Sequence, residues 1–224
     1  MKMIRNVILS VAVSALCATA ALAQVPTDVV TVGSVSSSSS TVDVPVYIRD
    51  TAGTPLGIDQ PAGSRIQSYS LQVLYASPSV QSITFTRGGI TASLTPTFES
   101  SPAVPGTSIA LLDTFAEATN LIPFTSNATL PGDQVGTLHV TLAPGTPVGT
   151  VIAFTLDPTL TQLSDEGGTP GTVETTGNGR LALVPGSITV TAPAVVIPVP
   201  TLSTWAMVVM ALMIAAVASR MRMS

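Results

Sequence analysis

Cysteine, histidine, aromatic side chains and positive charge are all scarce in this 224-residue chain. The one cysteine, Cys17, and the one histidine, His139, supply no thiolate or two-histidine metal pattern. They also form no Cys-His or Ser-His-Asp constellation. With a single thiol the fold rests on packing, not on disulfides. Only 4% of the residues are aromatic, too few for the two interfacial girdles of an outer-membrane barrel. Between Gln24 and Pro200 the only basic residues are Arg49, Arg65, Arg87 and Arg180, against twelve acidic ones, a net charge of −8. Such a body is repelled by nucleic acid and by anionic headgroups, so no nucleic-acid partner is expected.

The remaining positive charge sits at the two ends. Lys2 and Arg5 precede an apolar stretch from Val7 to Ala20, and Ala21-Leu22-Ala23 then stands before Gln24. This small-x-small pattern predicts cleavage by signal peptidase between Ala23 and Gln24, with residues 1–23 as the leader and Cys17 discarded with it. At the other end Arg220 and Arg222 follow the 18 uncharged residues Leu202–Ser219. As a helix these reach about 27 Å, close to the hydrocarbon thickness of a bilayer. The expectation is a transmembrane helix over 202–219, with Trp205 near the outer interface and Arg220 and Arg222 on the cytoplasmic side. The body between the termini is then exported.

That body, residues 24–192, has a hydrophobic period of two. In "STVDVPVYI" Val42, Val44, Val46 and Ile48 alternate with Asp43, Pro45 and Tyr47; "SYSLQVLY" and "GTLHVTL" repeat the device. One face of each strand therefore packs and the other meets water. Tyr69 and Tyr75 share parity with Leu71 and Val73 and belong to the core, whereas Tyr47 faces outward. Further strands are expected at "VVTVGSV", "SITFTR", "SLTPTF", "TSIALLDTF", "TVIAFTL", "RLALV" and "GSITV", separated by Gly, Pro, Asn, Asp and Ser. No stretch of the body keeps a helical period, so the fold class is all-β, an antiparallel sandwich of jelly-roll type. Residues 193–198 read as a proline-stiffened spacer.

The order "VDVPVYI", "IQSYSLQVLYASPSVQSITF", "GDQVGTLHVTLAPGTPVGTVIAFTLDP" and "GSITV" resembles the cohesin-like domains, sandwiches related in shape to carbohydrate-binding modules. The resemblance spans Thr41 to Thr191, with Ala76-Ser77-Pro78 where that family usually has an aspartate before the proline. It implies a jelly-roll fold and a structural or protein-interaction role. The tail "VPTLSTW", an apolar run and a basic end resemble the IPTL-CTERM sorting signals, relatives of the PEP-CTERM tails of Gram-negative bacteria. In that resemblance Val199, Pro200, Thr201, Leu202, Ser203, Trp205, Arg220 and Arg222 form the signal. An exosortase-type membrane transpeptidase is the implied partner, and the cell envelope, surface or extracellular matrix the implied destination. Here Val199 stands for the usual isoleucine, Thr204 at a position often acidic and Ala206 at one often glycine.

Candidates for chemistry are few. His139 shares parity with Thr137 and Thr141 and reads as a solvated strand residue. The glycine-rich segment from Asp157 to Arg180 places Asp157, Asp165, Glu166 and Glu174 around a loop that reads as solvated, with Asp157, Asp165 and Glu166 the weak candidates for a hard-cation site, without EF-hand spacing. Asp113 and Glu117 read as surface charges. No catalytic residue and no cofactor is expected, and the chain is read as a non-enzyme. The alternative to a structural role is a surface-displayed polysaccharide binder, with outward Tyr47 as its ligand platform; a plain membrane-anchored ectodomain is the other.

Overall fold

The structure, a computed structural model, describes residues 27–51, 55–58, 60–193 and 204–222. The leader and its cleavage residues Ala21, Ala23 and Gln24 lie outside the described residues, as do most of the spacer and Val199, Pro200, Thr201, Leu202 and Ser203. The chain divides into two units, one ending at Thr191 and one beginning at Ala192.

The first unit is a two-sheet sandwich. β1 (Asp28–Val32), β3 (Thr41–Arg49), β5 (Val80–Arg87), β9 (Asp133–Leu142) and β12 (Leu181–Val184) form a five-stranded sheet in the order β12-β1-β3-β9-β5. The larger sheet has the order β2-β13-β10-β4-β8-β6. Its strands are β2 (Ser34–Ser37), β4 (Ser68–Leu74), β6 (Phe98–Ser100), β8 (Ser108–Thr114), β10 (Val151–Leu156) and β13 (Gly186–Val190). Two short strands extend it, β7 (Ala103–Val104) beside β8 and β11 (Gln162–Ser164) beside β4.

Alternation produces these strands as expected. In β3, Val42, Val44, Val46 and Ile48 are buried while Thr41 and Asp43 are exposed. The β-branched side chains fit a pleated half-buried surface. They meet Leu71, Val73, Ile109, Leu111 and Ile188 of the other sheet. Two ring pairs fill the middle, Tyr69 with Phe115 at 6.5 Å and Tyr75 with Phe154 at 6.3 Å between centroids, so both tyrosines are core residues.

The sandwich departs from the expected all-antiparallel pairing at its seam. β1 runs parallel to β12 and β2 parallel to β13. The expected single strand "VVTVGSV" is in fact two, because the chain passes from one sheet to the other at Gly33, as it does again at Pro185. The two crossings touch: a Cβ on Gly186 would lie 2.2 Å from the Gly33 carbonyl oxygen and 2.5 Å from that of Val32. Only glycine permits that approach.

"SLTPTF" is also corrected. After Arg87 the chain makes a 3-10 turn, Gly89–Thr91, and regains a strand only at Phe98. Gly89 has φ +56°, and a Cβ there would meet the Gln134 carbonyl oxygen at 2.0 Å. The backbone therefore leaves the β region at this point, and Arg87 donates to the carbonyls of Thr91 and Leu94 that the turn exposes.

The second unit contains α1 (Thr204–Met221), and the expected span over 202–219 does not match it. The helix takes in Arg220, and the uncharged part of its described range, 204–219, rises about 24 Å against a hydrocarbon core of about 30 Å. Among the described residues no helix is long and apolar enough to cross a membrane. Met207, Val208, Val209, Met210, Leu212, Met213 and Ile214 are exposed on it.

Candidate functional site

Among the described residues, the outer face of the larger sheet carries no charge. Strand alternation turns Ser70, Gln72 and Leu74 of β4, Ala110, Leu112 and Thr114 of β8, and Val151, Ala153 and Thr155 of β10 outward. Ser70 is opposite Leu112 and Gln72 opposite Ala110. Exposed apolar side chains lie on or beside this face, Phe98 at 54%, Leu160 at 57% and Val151 at 63%. Ser70 Oγ donates to the Leu160 carbonyl at 3.3 Å, tying that loop to the strand. A flat neutral patch on a body of net charge −8 has the composition of an interface centre, where charged residues are depleted.

The acids go elsewhere, and several go inside. Asp28, Asp50 and Glu174 are each 0% exposed. Asp28 Oδ1 accepts the Thr51 amide at 2.7 Å and Asp50 Oδ2 the Ile58 amide at 2.8 Å. Glu174 is bridged through its backbone to Leu163, which brings its side chain to Asp28. Apart from each other, neither Glu174 oxygen nor Asp28 Oδ2 meets an N–H or O–H donor among the described residues. Burial pushes both carboxyls up; at Glu174 the charge of Asp28 adds to the rise, whereas at Asp28 the hydrogen bond from Glu174 offsets part of it. The group therefore holds a proton, which one carboxyl donates to the other. Arg180, partly neutralising Glu174, is committed to the Gly171 carbonyl at 2.7 Å.

Asp113, expected at the surface, is 2% exposed. It accepts the Tyr69 hydroxyl, and burial raises its pKa to about 6. Glu117 is separate from it, paired with Arg65 at 3.5 Å. The loop expected to be solvated is only partly so: Asp165 is 2% exposed and accepts the Thr169 amide at 2.8 Å. Asp157 caps a turn, accepting the Thr159 hydroxyl at 2.7 Å and amide at 2.8 Å, which hold its carboxyl below the usual range. Glu166 accepts the Glu117 amide at 2.7 Å. The three weak cation candidates thus serve separate turns. Among the described residues no group of three or more His, Cys, Asp or Glu side chains is placed to hold a metal ion.

Tyr47 is outward on β3 but only half-exposed, opposite Thr31 and Gln134 at a register shift in the β3–β9 ladder. No second Tyr, Phe or Trp points outward beside it among the described strands of that sheet. His139 Nδ1 donates to Asp43 Oδ1 at 2.7 Å, and its side chain is 39% exposed, a surface pair of small energetic weight. In the tail, Trp205 falls within α1, and Arg220 and Arg222 are exposed at its end.

Comparison with known proteins agrees with this architecture. Residues 197–223 match the IPTL-CTERM motif, so the chain carries that sorting motif at its end. The sandwich has the cohesin fold. The seventh ScaB type I cohesin of Pseudobacteroides cellulosolvens superposes with a TM-score of 0.52 at 16% identity, covering 76% of this chain and 96% of that one. The third ScaC cohesin of Acetivibrio cellulolyticus, solved in complex with the ScaB dockerin, gives 0.51 at 16%, covering 74% and 99%. A type I cohesin–dockerin complex of Clostridium thermocellum gives 0.51 at 16%, covering 75% and 96%. No curated protein sequence matches the chain.

Proposed function

We propose that this is an exported cell-envelope protein whose sandwich is a non-enzymatic protein-interaction module and whose tail is a removable sorting signal. The observation that carries the reading is the conjunction of a cohesin fold with an IPTL-CTERM motif on one chain. Signal peptidase removes residues 1–23. The apolar helix then holds the C-terminus at the membrane for an exosortase-type transpeptidase, which acts near Val199–Leu202.

The neutral face of β10, β4 and β8 is the surface that meets the protein partner. Two of the cohesins compared above are solved in complex with dockerin modules, and the fold is used here in the same general way, with a partner recognised by apolar and hydroxyl contacts instead of charge. The test is retention from the producing cell's envelope fraction on immobilised sandwich. A species retained by the unmodified domain and by Tyr47→Ala, and lost with Leu112→Arg, supports this reading. Retention indifferent to Leu112→Arg contradicts the assigned face. Polysaccharide-dependent retention abolished by Tyr47→Ala would favour a carbohydrate-binding module instead.

A further inference from the structure

Among the described residues four strands end the two sheets, and three of them are short: β12 and β2 have four residues each and β6 has three. The fourth, β5, has eight and lies at the end of the five-stranded sheet beyond β9. Short strands are a common way to blunt an edge; a long one exposes a row of unpaired N–H and C=O groups. The other blunting devices are confined to its two ends. A register shift lies between Val80 and Ser82. The single charge, Arg87, is drawn back into the domain by Glu99 at 3.0 Å and by the carbonyls of Thr91 and Leu94. Between them, Ser82-Ile83-Thr84-Phe85-Thr86 has no charge, proline or glycine and consists largely of strong strand formers.

We propose that this edge is a self-association site, on which a second copy of the chain adds its own β5 antiparallel across a two-fold axis at Thr84. Two five-stranded sheets then become one of ten. The occupant follows from the self-complementarity of the segment. Ile83 and Phe85 face the core side and Ser82, Thr84 and Thr86 face out. A register keeps those faces only if paired residues share parity. Centring on Thr84 sets Ile83 against Phe85 of the second copy twice, and Ser82 against Thr86 twice, with Thr84 opposite itself. These are β-branched–aromatic and hydroxyl pairs, both favourable across strands. Arg87 then meets Gln81, so no like charges oppose one another although each body carries −8. An isologous two-fold contact of this kind closes on itself and leaves no further free β5 edge. It also leaves the neutral face of the larger sheet open, so it stands independently of the partner proposed above.

The sandwich, residues 27–191, contains its whole core and no cysteine, which allows a clean test. Sedimentation of this unit should show a concentration-dependent dimer. Thr84→Lys, which sets two ammonium groups opposite each other at the axis, should give a monomer with an unchanged β spectrum. Thr84→Cys should form an interchain disulfide under mild oxidation at least roughly tenfold faster than Thr155→Cys, an exposed thiol on the other sheet, because the axis places the two thiols at high effective concentration. A wild-type domain monomeric up to its solubility limit, a dimer that survives Thr84→Lys, or equal cross-linking of the two cysteine variants would each overturn the proposal.

Discussion

Asp28, Asp50 and Glu174 keep three carboxyl groups from water at one end of the sandwich, and this gives the protein a particular response to pH. The carboxyls of Asp28, Glu174 and Asp113 are all raised by burial above their values in the unfolded chain. The folded state therefore binds more protons than the unfolded state from about pH 4 upward. Stability is fully present below that point and is lost as pH rises through the folded pKa values, about 6 for Asp113 and higher for the Asp28–Glu174 pair. Thermal unfolding should thus be easier at pH 8 than at pH 5, by on the order of 3 kcal/mol. Glu174→Gln, which keeps a donor towards Asp28 without a titrating proton, should flatten that dependence. A melting temperature that climbs from pH 5 to pH 8 would contradict the buried-proton account. The sequence carried part of this: Asp113 has the parity of Ile109, Leu111 and Phe115, so its burial was readable from alternation. Asp28, at a strand start, and Glu174, in a glycine-rich loop, lie where no period applies, and only the fold brings them together.

The elements were the most legible level, since β3, β4, β8, β9 and β10 follow from alternating β-branched and leucine residues alone. What alternation cannot express is where a strand changes sheet. Gly33 sits in a run that looks continuous, while Gly186 opens a strand already separate from the one before it, yet the chain crosses between layers at both places and the two crossings touch backbone to backbone. Gly186→Ala would force a methyl group against the Gly33 carbonyl. It should lower the denaturant midpoint with a loss of about 1–3 kcal/mol, the usual scale of overpacking; an unchanged midpoint would mean that the seam is looser than described. The missed turn at Gly88-Gly89 has the same origin, a backbone contact with Gln134 that no local pattern records. On the neutral face the corresponding prediction is that Leu112→Arg leaves the fold intact, since Leu112 is outward, and removes partner retention; loss of folding by circular dichroism would show that the residue is structural.

At the scale of the whole molecule the two units have different work. In the proposed function the sandwich is the interaction module and the tail, a motif in residues 197–223, is the address. Both were legible because each is written in a repeated local code, period two in one case and a fixed order of proline, tryptophan, apolar run and arginines in the other. The inclusion of Arg220 in the helix was not, because hydropathy marks where charge begins and does not say where the helix ends. The most direct measurement is the intact mass of the protein isolated from the cell envelope or medium of its native host. The account predicts a chain that begins at Gln24 and ends before Trp205, and a full-length tail in a Pro200→Ala, Thr201→Ala variant. A mass that runs through Ser224 in the unmodified protein would contradict the sorting reading.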